Sequence, residues 1–184
     1  MNDGRVDSVC DVPFSLRLAT PTDAEAIRTI YNHEVLHTAA TFDLVPRTLV
    51  EQEQWIAARS GAFAALVVTE PAPERPDGGE AVIGFGSLSP YKERAAYRTS
   101  VEDSVYVHTA HHGRGIGKMI VTELLHVARV SGFHAVFARI NASSEASRAL
   151  HASCGFALVG VEREVGRKFN RWHDVALMQH LLPT

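Results

Sequence analysis

The segment Val105-Tyr106-Val107-His108-Thr109-Ala110-His111-His112-Gly113-Arg114-Gly115-Ile116-Gly117-Lys118 constrains this chain more than any other. It reads as a strand, a short turn and alternating glycines that enter a helix. Glycines let a backbone approach a ligand closely. The free amides of a helix N-terminus attract anions, helped by the helix dipole. The segment therefore suits a phosphate or pyrophosphate, or else a close helix–strand contact that needs no ligand. It lacks the Gly-Lys-Ser/Thr ending and spacing of a P-loop and the G-x-G-x-x-G order of a dinucleotide fingerprint.

The rest of the chain supplies a sheet for this unit. Phe14 to Ala19 alternates as a strand, with Phe14, Leu16 and Leu18 on one face. Thr20-Pro21-Thr22-Asp23 is a helix-start signal, with a hydroxyl cap, proline at the first position and an acid three residues on. The helix it opens carries Ile27, Ile30 and Tyr31 on one face and fades near Leu36 to Thr38. Thr48 with Glu51 forms a second capping box, opening a helix through Trp55 and Ile56 to about Ser60.

Ala64 to Glu70 and Ala81 to Leu88 are strands around a Pro- and Gly-rich stretch, Pro71 to Gly79, read as a hairpin insertion. Ser100 to Val107 is the strand before the glycine turn. A helix from about Gly115 to Val130 spaces Ile116, Ile120, Leu124 and Val127 on one face. Ala135 to Ile140 is a strand, Glu145 to Ser153 a helix with Gly155 as its stop, and Ala157 to Val165 and Trp172 to His180 finish the sheet. The expected fold is α/β, a mixed central sheet with helices on both faces. Residues 1–13 are expected to form a flexible leader and 14–184 one domain.

Charge and composition narrow the partners. The formal net charge is -3 and the sequence pI about 6.4, without the basic stripe of a nucleic-acid binder. No stretch approaches the ~20 apolar residues of a membrane span, and residues 1–12 carry Asp3, Asp7 and Asp11 in place of a signal core. Cys10 and Cys154 share no metal-like spacing and read as reduced thiols of a cytoplasmic protein. The histidines, His111-His112 included, offer no metal set.

Several stretches, in order, resemble the GNAT superfamily of N-acetyltransferases. His112-Gly113-Arg114-Gly115-Ile116-Gly117 is similar to its Gln/Arg-x-x-Gly-x-Gly/Ala cofactor motif, with His112 in place of the usual first residue. Further stretches resemble the phosphinothricin and methionine sulfone or sulfoximine acetyltransferase branch. They are Ile30-Tyr31-Asn32-His33, His37 to Phe42, Val101-Glu102-Asp103-Ser104-Val105-Tyr106-Val107, Leu150-His151, Cys154-Gly155-Phe156, and Val165 to Val175. The resemblance covers nearly the whole chain from about Phe14.

The resemblance implies an acetyl-CoA-dependent enzyme that acetylates the α-amino group of a small amino-acid-like molecule, cytoplasmic and homodimeric, with no metal. Backbone of Val105, Tyr106 and Val107 would lie along the pantetheine arm. Amides from Gly113, Arg114, Gly115, Ile116, Gly117 and Lys118 would hold the pyrophosphate, with His112 beside them. Asn141 and Ser144 would stand near the pantetheine, Ser144 where the branch usually has Asn. The family motif assigns Glu102 the role of general base; otherwise it is a strand-end acid holding Arg94 or Arg98. A carboxylate with a pKa near ~4.3 is a poor base unless burial raises it or water relays the proton. His151 stands where the branch has a histidine that could protonate the leaving thiolate, or it makes one structural hydrogen bond. Tyr31, Phe42, Lys92, Arg94 and Tyr97 lie in segments that frame the acceptor in the family; ordinary surface charge and core aromatics are the other reading. Lys168 and Arg171 either line that pocket or form ion pairs, and Trp172 serves the core or a dimer contact. Two alternatives stay open: a protein N-terminus or polyamine as acceptor, and a CoA-binding module without catalysis.

Overall fold

The computed structural model describes residues 14–74 and 79–183; the expected leader lies outside the described residues. Seven strands form one sheet in the order β1-β2-β3-β4-β5-β7-β6. They are β1 (Ser15–Leu18), β2 (Leu66–Pro71), β3 (Glu80–Pro90), β4 (Ser100–Val107), β5 (Ala135–Asn141), β6 (Ala157–Lys168) and β7 (Arg171–Leu181). The helices are α1 (Ala24–His37), α2 (Leu49–Ala57), α3 (Ile116–Val130) and α4 (Glu145–Ser153). Both expected capping boxes form, Thr20 with Asp23 before a short 3-10 turn and Thr48 with Glu51 at α2.

The helices divide between the two faces. Ile27, Ile30, Tyr31 and Val35 of α1 and Ile56 of α2 close over Val67 and Phe85, with Tyr106 against them. On the other face Ile116, Ile120, Val121 and Leu124 of α3 pack on Val68, Ile83, Val101 and Val136. Gly84 and Gly86 of β3 allow this close approach: a Cβ on Gly86 would lie 2.4 Å from the Ile120 side chain.

The feature that positions the site is a break in the sheet. β4 and β5 are its parallel pair, and they pair only over Ser100–Glu102 with Ala135–Phe137. Beyond that point β4 pairs with β3 alone and β5 with β7 alone. The two strands therefore splay and leave a slot through the sheet.

The last hairpin is longer than its sequence pattern suggests. β6 and β7 turn through Phe169 and Asn170, both with positive φ (51° and 57°), as a two-residue type I′ turn requires. Phenylalanine is an unusual residue there, so the turn gives no clear signal in the sequence.

Candidate active site

The slot opens into a cavity of about 240 Å³ lined by Glu102 to Tyr106 of β4, Ala138 to Asn141 of β5, Ala39 to Phe42, and Ser144, Ser147 and His151. A second cavity shares Val105, Tyr106, Asn141 and Ser144 and runs on to Val107 and His112, so the cleft reaches the glycine turn.

The β4 side of the cleft offers main-chain groups. His108 donates its amide to the Ile83 carbonyl at 2.8 Å. Bonded pairs alternate along an antiparallel ladder. Tyr106, Ser104 and Glu102 therefore spend their main-chain groups on β3, while those of Asp103, Val105 and Val107 turn toward the splay. The Val107 carbonyl accepts from His112 Nε2 at 3.0 Å. At the far end, Gly113 (φ 78°) and Gly115 (φ 83°) adopt left-handed conformations, and a Cβ on either would meet no atom within 4 Å. Gly115 caps α3 without a side-chain bond. The turn thus presents a helix N-terminus with open space before it, as an anion needs. Ile116 is core, a Cβ on Gly117 would lie 2.9 Å from the Leu150 side chain, and Lys118 is exposed.

The turn is clamped from behind. His111 Nε2 meets Glu70 Oε1 at 2.6 Å, and Arg114 Nη1 meets Glu70 Oε2 at 3.1 Å. The Arg114 side chain therefore serves β2, and what it offers the cleft is backbone.

Glu102 and Asp103 are successive strand residues and project to opposite faces. The Glu102 carboxylate is half-buried and makes no hydrogen bond or ion pair with any described residue. Burial pushes its carboxyl above the usual range; Arg139 opposes that, while Asp103 and Glu162 add to it. Asp103 is buried and binds His151, Nε2 to Oδ2 at 3.0 Å, while His151 Nδ1 donates to the Ser147 carbonyl at 2.8 Å. Burial pulls the His151 pKa down, but the Asp103 carboxylate and the Ser147 carbonyl outweigh it, and the net shift is upward. With an acceptor at each ring nitrogen, this geometry favours the doubly protonated ring, in line with the upward shift. Asp103 was missed in the sequence because an acid beside Glu102 shows no partner until α4 folds over the strand.

The other expected residues divide. Phe42 lines the cavity, packed against Gly166, where a Cβ would lie 2.2 Å from its ring. Ser144 lines it too, and its side chain makes no cap bond to α4. Asn141 stands in the cleft with its side chain fully engaged: Nδ2 donates to the Ala39 carbonyl and His173 Nδ1, and Oδ1 accepts from Ser143. Tyr31 does not reach the cleft. It is 5% exposed, and its hydroxyl donates to Asp43 and meets Thr41, so it braces the loop that carries Phe42. Lys92, Arg94 and Tyr97 lie outside the cavity on an exposed loop, where Lys92 stands over Tyr91 and Tyr97 and Tyr91 stacks on Phe137. Lys168 is buried and structural, Nζ donating to the Thr41 and Glu34 carbonyls; burial lowers its pKa, with Asp43 and Glu34 opposing. Arg171 is exposed, and Trp172, 59% exposed, is no core residue.

Among the described residues no group of three or more His, Cys, Asp or Glu could hold a metal ion, and no helix is long and apolar enough to cross a membrane.

Known proteins share this architecture. Residues 16–177 match the family described as Acetyltransferase (GNAT) domain. The chain is 37% identical to the phosphinothricin N-acetyltransferase of Streptomyces coelicolor, over 88% of this chain and 92% of that one. It is 37% identical to the L-methionine sulfoximine/L-methionine sulfone acetyltransferase of Salmonella typhimurium, over 90% and 93%. The solved structure of yncA from Salmonella typhimurium with its cofactor acetyl-CoA superposes with a TM-score of 0.85 at 36% identity, covering 92% of this chain and 94% of that one. This chain belongs to the GNAT family and is an acetyltransferase.

Proposed function

We propose that this enzyme transfers the acetyl group of acetyl-CoA directly to the α-amino group of a small amino-acid-like acceptor of the phosphinothricin, methionine sulfone or methionine sulfoximine type, within a ternary complex. The observation that carries the reading is Glu102, a half-buried carboxylate without a partner among the described residues, on the lip of the β4–β5 slot. The names of the relatives support the acceptor class, and the neighbour solved with acetyl-CoA supports the co-substrate.

The residues fit that co-substrate. The Val105 main-chain groups and the Val107 amide turn toward the splay and suit the amides of a pantetheine arm, with the Val107 carbonyl taken by His112, and the open glycine turn at Gly113 to Lys118 suits a pyrophosphate. In the reaction the acceptor amine attacks the thioester carbonyl, a C–N bond forms and the C–S bond breaks. Glu102 takes the ammonium proton through water, its raised pKa bringing it closer to the task. Both His151 ring nitrogens are engaged by Asp103 and Ser147, so its part is to anchor α4 on β4 beside the slot, and water returns a proton to the thiolate.

The outer strand β6 leaves Leu158, Val159, Val161 and Val165 about half exposed, near Phe169 and Trp172. A long apolar edge strand needs a cover, and we propose a homodimer across it.

Release of free thiol from acetyl-CoA, followed across a panel of amino acids and their analogues, tests the function. Turnover with phosphinothricin, methionine sulfone or methionine sulfoximine well above that with polyamines and N-terminal peptides is expected. Equal or faster turnover with peptides or polyamines would refute the acceptor class.

A further inference from the structure

The Glu102 face of the sheet carries a second charged device. On β5, Phe137 stands level with Glu102, and Arg139 follows two residues on, hence on the same face. Arg139 also lines the slot cavity with Glu102. Its guanidinium does not turn to Glu102, however. It reaches across β7 to Glu162 of β6, Nη2 to Oε2 at 2.7 Å and Nη1 to Oε1 at 3.3 Å. β5, β7 and β6 are adjacent in that order, so the pair bridges over one strand.

We propose that Arg139 and Glu162 are positioning residues for Glu102: Arg139 sets the pH at which Glu102 is free to take a proton, and Glu162 sets how much of the Arg139 charge Glu102 feels. This rests on Glu102 being the general base.

The physical argument is one of competition for a single cation. Glu102 is half-buried and has no partner of its own, so a neighbouring charge acts on it with little screening. A free Arg139 would lower the Glu102 pKa and weaken it as a base. Glu162 offsets part of that charge through its Nη2–Oε2 and Nη1–Oε1 contacts with the fork. The other groups around Glu102 leave this pair as the adjustable element. Its β3 partner is Ser89, which carries no charge. Asp103 lies on the opposite face, bound to His151. On the β3–β4 loop, Lys92 is directed at the Tyr91 and Tyr97 rings and Arg94 is exposed to solvent. The direction of each influence agrees: Arg139 favours the Glu102 carboxylate, and Asp103 and Glu162 disfavour it.

The two partners must therefore act with opposite sign, which a purely structural ion pair would not do. The test is the acid limb of kcat/KM against pH, by thiol release, for the wild type, Arg139→Met, Glu162→Gln and Glu102→Gln. Thermal unfolding and acetyl-CoA affinity are measured on the same samples. Arg139→Met should move the limb to higher pH and Glu162→Gln to lower pH, each by roughly half to one unit for charges acting through partial solvent. Limbs that coincide with the wild type, or that move in the same direction, would overturn the proposal. So would an Arg139→Met enzyme whose only change is a raised acceptor KM, since Arg139 would then be a carboxylate contact. The Glu102→Gln sample separates the two failures. If its acid limb is that of the wild type, Glu102 is not the base; if its limb is lost while the other two variants match the wild type, only the tuning fails.

Discussion

Replacing Asp103 tests the buried pair from the structure alone, because alanine and asparagine should do different things. The His151 and Asp103 side chains are 5% and 3% exposed. Breaking such a pair by removing one partner commonly costs about 3–5 kcal/mol. Histidine has an escape, since it can shed its proton near its ordinary pKa of about 6.5. In Asp103→Ala the loss should fall toward the ~1–3 kcal/mol of one unsatisfied buried group, with some further loss from the space left. About 2–4 kcal/mol at pH 7 corresponds to a Tm lower by roughly 4–16 °C at ~2–4 °C per kcal/mol for a chain of this size. In Asp103→Asn the neutral ring keeps its Nδ1–H on the Ser147 carbonyl, and Nε2 accepts from the new amide, so the loss should stay below about 2 kcal/mol.

The pH dependence distinguishes the cases further. The folded pKa of His151 is raised, so the folded state holds the proton more tightly. The contribution of the pair is then complete below the unfolded value near ~6.5 and is lost as pH rises through the folded value. Thermal unfolding by circular dichroism from pH 6 to 9 should show the gap between wild type and Asp103→Asn widest at pH 6 and narrowing toward pH 9. A gap constant across that range, or an Asp103→Ala protein as stable as the wild type, would refute the reasoning.

Gly115→Glu should weaken acetyl-CoA binding at least about tenfold by calorimetry, a change worth ~1.4 kcal/mol, with little effect on acceptor KM at saturating co-substrate. The new side chain is strained at φ 83° and brings negative charge to the α3 N-terminus. Light scattering should report a dimer at micromolar concentration, and Trp172→Lys with Val165→Lys should shift it toward monomer, because both residues are about half exposed on the outer hairpin.

Much of this fold was legible in the sequence, for local reasons. The two capping boxes announced their helices, and the strand–glycine–helix segment placed β4 and α3 almost to the residue. The β6–β7 hairpin was read too short, because β6 runs to Lys168 through a bulge between Glu162 and Gly166 and turns on a left-handed phenylalanine. Glu102, the Val105–Val107 edge and the glycine turn stand close together in the sequence, and the fold keeps them along one cleft. What was not legible depends on contacts across long separations. Asp103 meets His151 48 residues away, Tyr31 turns inward to Thr41 and Asp43, and the Asn141 side chain is consumed by Ala39, Ser143 and His173. Arg139 and Glu162 meet only because their strands flank β7 in the sheet.

The most direct test of the account is the pH–rate profile of Glu102→Gln, a change that keeps the shape of the side chain and removes its basicity. If Glu102 takes the proton, the folded variant should bind acetyl-CoA normally. Its kcat/KM should fall by about 10²–10⁴ near neutral pH and recover in part at high pH, where more of the amine is already neutral. A folded Glu102→Gln enzyme that matches the wild-type kcat/KM from pH 6 to 9 would contradict the account.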